Sequence, residues 1–427
     1  MCKVNLLIII LIILCNMVFA IGLQEDKREI IALKIGVFDE IETAILAISK
    51  SKNFKVKFPN IMLKYQYNNL IEHHNRLFSQ LESGEEMNDI EVIEFKYIPH
   101  LAQTGSFTDL RKEPFNGKDV GIKLIKASIS AATLEDGRII AFPVSIDPAV
   151  LYYRKSIVEK AGISLEKLSS WDEYIDKAVK LTSDNNNDGK IDQYALTHPF
   201  DVSVLLLNSE QNRWILNGDP PQPNEKFKSV LSICKKIHDS GIDADFLPWT
   251  GKWITSFRDG TVVTMLSGAS FGNGLKDWMA PVSSGDGDWR VTIPPQKTYA
   301  LLGGYYLGIP ENIDGERKKL AWEVIKYLCT ESEAQLLLFR TSEIIPALVT
   351  LYDLPIMSEP VPYFGGQRIY QIFKVIANNI PSKYVSVNEA NAIDIFNYAI
   401  KSVVYDDESV DEAYIKAKKK INKLVLK

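Results

Sequence analysis

Asp39, Glu94 and Asp147 each close or follow a short apolar run, which would leave their carboxylates at element ends, free to act. A carboxylate accepts paired hydrogen bonds from neighbouring hydroxyls, and two of them together can serve as acid and base in glycoside hydrolysis. The stretch Gly303-Gly304-Tyr305-Tyr306 joins a backbone able to pass close to another body with two flat amphipathic rings. Residues 184–193 place oxygen side chains at Asp184, Asn186, Asp188 and Asp192, with Gly189 sixth in the series. That order matches a Ca²⁺ loop in which Lys190 lends its carbonyl. The twelfth residue is Ala195, where an EF-hand has a bidentate glutamate, and an Asn-rich surface turn would read the same way. No Ser/His/Asp, Cys/His or HExxH constellation supports other hydrolysis, and the five histidines make no metal-spaced cluster.

The elements that would position these groups come in a regular order. Residues 31–39, 61–67 and 90–95 read as strands, with helices at 40–49 and 70–81 between them. This β-α-β-α-β series implies an α/β fold with a largely parallel sheet, whose ligands gather outside the carboxyl ends of the strands. Asp39, Glu94 and Phe95 would stand there. Residues 138–142 and 150–153 read as short strands meeting across Pro143–Pro148, with Asp147 between them. That junction is either a crossover between two bodies or an ordinary loop. Further strands are expected at 193–196, 262–266, 290–293 and 301–309, with a Ser/Gly-rich loop at 267–274. Helices are expected at 171–181 behind a Ser170/Glu173 capping box and at 227–238, stopped by Gly241. The C-terminal third reads as helical at 317–328, 331–339 behind a Thr330/Glu333 box, 369–377 and 393–404. A last helix, capped by Ser409 and Glu412, carries Val410, Ala413, Ala417, Ile421 and Leu424 on one stripe.

At 427 residues the chain exceeds what one core usually fills, so two domains are expected. A net charge of −5, with basic residues clustered only at 416–423 in a helix end, gives no reason to expect a nucleic-acid partner. Residues 1–20 read as a secretory signal: one Lys, an apolar stretch at 6–14 and a small residue at Ala20. Lipid attachment at Cys15 and an uncleaved anchor are the other readings of that segment. Cys234 and Cys329 lie in separate predicted helices, as buried thiols or as a disulfide.

Taken in order, several pieces resemble one family, the extracellular solute-binding proteins of ABC importers, the carbohydrate-type group that includes maltose-binding protein. They are NDIEVIEFKYIPHLAQTGSFTDL, GRIIAFPVSIDPAVLYYRKSIVEKAGI, WDEYIDKAVKLT, FRDGTVVTMLSG, GGYYLGIP with KKLAWEVIKYLCTESEAQLLL, and VDEAYIKAKKKINKL. The resemblance spans about residues 30–427 and implies two α/β lobes joined by a three-segment hinge that close on a solute. It places the crossings near 142–147, 298–302 and 344–348. One lobe would comprise 30–143 with 300–345, the other 147–297 with 349–427. It carries cleft contacts onto Asp39, Glu94, Asp147, Gly304 and either Tyr305 or Tyr306. Where many relatives show a Trp after the Met265-Leu266-Ser267-Gly268 segment this chain has Ala269, Ser270 and Phe271, so Phe271, Trp249 and Trp253 are the alternatives for a stacking ring. Some relatives hold Ca²⁺ in a similar loop with an acid after the ninth position, which is Gln193 here. The expected protein is exported and monomeric, delivers a sugar or oligosaccharide to a membrane permease, and does no chemistry on it. A sensor for a membrane signalling partner and a secreted glycosidase are the competing readings.

Overall fold

Ile31–Phe38 (β1) is apolar on both faces, and Leu33, Ile35, Val37 and Phe38 are wholly buried, as in a strand covered above and below. A computed structural model describes residues 29–209, 224–282 and 287–424; the segment 1–20 expected to be a leader, including Cys15, lies outside them. β1 lies between Ile61–Asn68 (β2) and Ile90–Glu94 (β3), both parallel to it. Beyond β3 the sheet continues antiparallel, first with Tyr305–Gly308 and then with the edge pair Phe142–Pro143 (β4). The edge position is what lets Pro143 join a ladder to which it cannot donate. Helix Asp39–Lys50 buries Ile41, Ala44, Ile45 and Ile48, a spacing that makes one face. Helix Leu70–Ser83 starts at Asn69, whose side chain accepts from the Glu72 N–H at 2.9 Å, and stops at Gly84.

The second sheet is centred on Asp147–Arg154 (β5), flanked by Thr264–Gly268 (β6) and Trp289–Thr292 (β7). Leu301–Gly303 (β8) pairs with the first residues of β5, and Tyr305–Gly308 (β9) follows in the first sheet. Among the named strands parallel pairing is therefore confined to β2-β1-β3, whereas the sequence pattern suggested a largely parallel sheet. β4 and β9 belong to crossing segments that run between the two sheets in opposite directions and so pair antiparallel, while β6 and β7 both run antiparallel to β5 within the second sheet. The chain leaves the first sheet at Pro143, enters the second at Asp147, and returns at Gly304. A third pass runs beside the first, with the Ile146 N–H donating to the Ile345 carbonyl at 2.9 Å.

Alternation along β5 divides the second core. Ala149 and Leu151 face Trp171, Tyr174, Phe227 and Phe396. Val150 and Tyr152 face Trp253, Phe257 and Trp289, in a cluster that runs on into the first sheet's core. The Ser170 cap forms, accepting from the Glu173 N–H at 3.0 Å, while Glu173 reaches back to the Ser169 N–H at 2.7 Å. Ser409 likewise caps the last helix, on which Ala413, Ala417 and Ile421 are buried. The Thr330/Glu333 box does not form: Thr330 ends the preceding helix, and its hydroxyl donates back to the Lys326 carbonyl at 2.8 Å. Residues 193–196 make isolated pairings instead of a strand, because their partners, Val262 and Asp243, come from different segments. Within 138–142 only Phe142 joins a ladder, and the expected loop at 267–274 is the end of β6 followed by a helical turn, Phe271–Gly274. Cys234 and Cys329 are buried and unpaired.

Candidate functional site

The carboxyl ends of β1 and β3 meet the start of β5 at the crossing between the two sheets. Asp39, just past β1, sits at φ +45°, a backbone state that Asp tolerates better than most residues. Burial raises its pKa, the neighbouring Glu40 adds to the rise, and a hydrogen bond from the Leu70 N–H opposes it. Glu94 ends β3 and accepts from the Lys96 N–H at 3.1 Å, with the Lys96 ammonium 4.0 Å away. Burial pushes the Glu94 carboxyl up to about 7 against that ammonium, and Asp147 adds repulsion. Asp147 accepts from the Ser270 N–H at 2.8 Å and from its hydroxyl at 2.7 Å. Even so, burial pushes it up to about 6, with the Glu40 charge contributing. These acids feel one another's charge because the fold brings them to one place.

Glycine is required twice beside Asp147. A Cβ on Gly268 would lie 2.1 Å from the Asp147 Oδ2. Gly304 stands at φ +130°, and a Cβ there would come within 2.8 Å of the Ser145 carbonyl. Its own carbonyl accepts from the Phe95 N–H at 3.0 Å, tying the β3 end to the crossing. Tyr305 and Tyr306 then point to opposite faces of β9. Tyr306 is fully buried, and its hydroxyl donates to the Ser128 carbonyl at 3.2 Å. Tyr305 is only partly buried; its hydroxyl donates to Glu40 at 2.5 Å and its ring meets Phe38 edge-on. Tyr305 is therefore the tyrosine that stands among the acids.

Phe271 is 7 % exposed and packed between Tyr152, Trp253 and Phe257, so its ring offers no open face. Trp253 is buried as well, whereas Trp249 is 68 % exposed and lies 4.9 Å from it. In the loop 184–193 the carboxylates accept from the loop's own amides: Gly189 N–H to Asp184 at 2.8 Å, Lys190 N–H to Asp188 at 2.9 Å, Asn185 N–H to Asp192 at 3.0 Å. Asn186 accepts from the Asp188 N–H, and the Gln193 amide donates to the Leu181 carbonyl at 2.7 Å. Among the described residues no three His, Cys, Asp or Glu are grouped so as to hold a metal.

Several partners of the site carry little signal in the sequence. Glu40 is one acid among many, and Ser145 and Ser270 are common loop residues. His74 lies under the site, accepting from the Glu94 N–H at 3.2 Å and stacking on Tyr97 at 3.7 Å. Its lowered pKa, about 3, follows from burial first. The tandem histidines 73–74 were the visible cue, and their role as backbone holders needs the fold to be seen.

Residues 51–361 match the model of a family described as bacterial extracellular solute-binding protein. The chain belongs to that family. As a member it is an exported, two-lobed solute-binding protein of mixed α/β architecture. An arabinooligosaccharide-binding protein of Halalkalibacterium halodurans is 22 % identical over 370 residues, covering 82 % of this chain and 79 % of the relative. Among solved structures, an ABC transporter associated binding protein from B. animalis subsp. lactis, in complex with β-1,6-galactobiose, aligns with a TM-score of 0.69 at 19 % identity, covering 93 % of this chain and 98 % of the other. The sugar-binding protein MalE of Xanthomonas citri aligns with a TM-score of 0.71 at 14 % identity, over the same shares. At such identities these solved structures establish the fold of this solute-binding protein.

Proposed function

We propose that this solute-binding protein captures a neutral sugar or short oligosaccharide between its lobes and hands it to the permease of an ABC importer. The observation that carries this is the convergence of Asp39, Glu94, Asp147 and Tyr305, from both sheets, at the crossing. Carboxylates accept pairs of hydrogen bonds from vicinal hydroxyls, and a tyrosine ring suits the C–H face of a sugar. The charged groups that meet there are Asp39, Glu40, Glu94, Asp147 and Lys96, a balance that disfavours an anionic solute. The arabinooligosaccharide and galactobiose binders among the relatives support the same class, and as binding proteins they support capture without catalysis. The lobes would be 30–143 with 300–345 and 147–297 with 349–427, moving about the crossings as ligand shifts an open–closed equilibrium. For the loop 184–193 we propose a structural Ca²⁺ held by Asp184, Asn186, Asp188, Asp192, Gln193 and the Lys190 carbonyl. The support is the spacing of its oxygens, each carboxylate keeping lone pairs beyond those its amide bonds use.

Calorimetry of the mature chain against arabinobiose, arabinotriose, β-1,6-galactobiose and maltose tests the main reading. At least one sugar is expected to bind and be recovered unchanged. Heat from none of these or from a wider sugar panel, or cleavage of a bound sugar, would overturn it.

A further inference from the structure

Residues 271–279 form a short helical stretch that begins beside Asp147. Phe271–Gly274 is α-helical, and Leu275–Met279 continues it as a π-helical turn. Ser270, Asn273 and Lys276 come three residues apart and so lie along one side of the stretch. Ser270 holds Asp147 through its N–H and its hydroxyl. Asn273 and Lys276 both reach Glu343. The Asn273 amide donates to the Glu343 carbonyl at 3.5 Å, and the Lys276 ammonium donates to the Glu343 carboxylate at 2.5 Å. Asp277, the other acid beside that ammonium, is farther away at 3.8 Å. Glu343 ends the helix Ser332–Ser342, directly ahead of the third crossing. In the division proposed above it belongs to the first lobe, and Ser270, Asn273 and Lys276 to the second.

Each half of this contact is fixed on its own body. In the second lobe the Tyr152 hydroxyl, on β5, donates to the Ala269 carbonyl at 2.8 Å and accepts from the Gly272 N–H at 3.1 Å. In the first lobe Glu343 stands at φ +50°, its N–H donating to the Phe339 carbonyl at 2.8 Å. The Ser342 hydroxyl donates to the Glu40 carbonyl at 3.1 Å, and Glu40 is the acid that accepts from Tyr305. The pair therefore stands at an edge of the cleft, on backbone that also carries partners of the acids. Its side chains are 27 % and 41 % exposed. At that exposure one ion pair changes an equilibrium by no more than about fivefold, and salt screens it. A binder balanced between open and closed forms responds to a bias of that size.

Resting on the lobe division and sugar capture proposed above, we propose that Lys276 and Glu343, with Asn273, form a latch between the lobes that favours the closed arrangement and slows release of the bound solute. They are positioning residues: they touch the opposite lobe and not the solute. Opening about the crossings draws the ammonium away from the carboxylate, and closing brings them together again. Ser270 grips Asp147 from the same helical stretch. A solute bound to Asp147 and the latch therefore draw one fixed piece of the second lobe toward the first, so each favours the other.

Small-angle X-ray scattering of the sugar-free mature chain at low salt reads the latch without any ligand. Lys276→Glu and Glu343→Lys each set like charges against one another, and each is expected to raise the radius of gyration above that of wild type. The double charge swap is expected to return it. Equal radii in all four proteins, or a double swap no more compact than the single variants, would overturn the latch. With the sugar that binds best in calorimetry, stopped-flow release from each single variant is expected to be about two- to fivefold faster than from wild type, and the double swap to recover the native rate. Lys276→Gln, which removes the pair without adding repulsion, reads the same rate should a charge reversal not fold. Native release rates in the single variants would overturn the latch and leave the sugar reading standing. A wild type that binds no sugar would overturn the sugar reading, and the radii alone would then decide the latch.

Discussion

Asp147→Asn keeps the shape of the side chain and removes its charge, and it should raise stability while lowering affinity. In the folded protein this carboxyl is lifted by burial from 3.8 to about 6. At 1.36 kcal/mol per unit that is on the order of 3 kcal/mol between the protonated and ionised forms. The folded state binds the proton more tightly than the unfolded chain does, so acid favours folding through this group. Its contribution is fully present below pH 3.8 and is lost as pH rises through about 6. Asparagine does not titrate. The difference in unfolding free energy, variant minus wild type, should therefore climb by about 2.4 kcal/mol between pH 4 and pH 7 through this group alone, with the coupling of Asp147 to Glu94 adding to or subtracting from it. Urea unfolding of both proteins at several pH values across that window, followed by tryptophan fluorescence, measures that difference. Sugar affinity at pH 7.5 should fall by about tenfold or more, because a charge-assisted acceptor is replaced by a neutral amide. Stability curves that stay parallel from pH 4 to 7 would refute the account of Asp147 as a buried charge kept for binding. So would a variant that is less stable at neutral pH yet binds sugar as well as wild type.

Gly268→Ala places a methyl 2.1 Å from the Asp147 Oδ2 and must push that carboxylate off Ser270. It should weaken sugar binding at least as much as Asp147→Asn with an unchanged far-ultraviolet spectrum, and native affinity in this variant would show the contact to be irrelevant. Chelator-treated protein should gain thermal stability on addition of Ca²⁺ to about 1 mM, the weak end of protein calcium loops, and Asp184→Ala should abolish the gain. A melting temperature indifferent to Ca²⁺ in the wild type would dismiss the metal.

The parts legible in the sequence were those set by local chemistry. β1, β2 and β3 announce themselves by their apolar patterning, and the helix Trp171–Val179 by its Ser170/Glu173 box, which needs no tertiary partner. Gly304 was readable as a close-approach glycine, although only the fold names the Ser145 carbonyl as the neighbour that demands it. What escaped depends on alternation and on distant partners. The Tyr305/Tyr306 choice turns on which face of β9 meets the first core, and that face is fixed by pairing with β3 and β4, some 160 to 210 residues earlier. Phe271 looked available for stacking because its loop is rich in Ser and Gly. It is spent inside because Tyr152, across the β5–β6 pair, leaves a hollow that an aromatic ring fills. The place of Val385 against the first sheet's side of the chain had no signal, since it pairs with Thr133 and Glu135 through backbone atoms that every sequence supplies. The same division separates the acids from the space around them. A carboxylate at a strand end is a local fact, whereas the space beside it is bounded by segments from both halves of the chain.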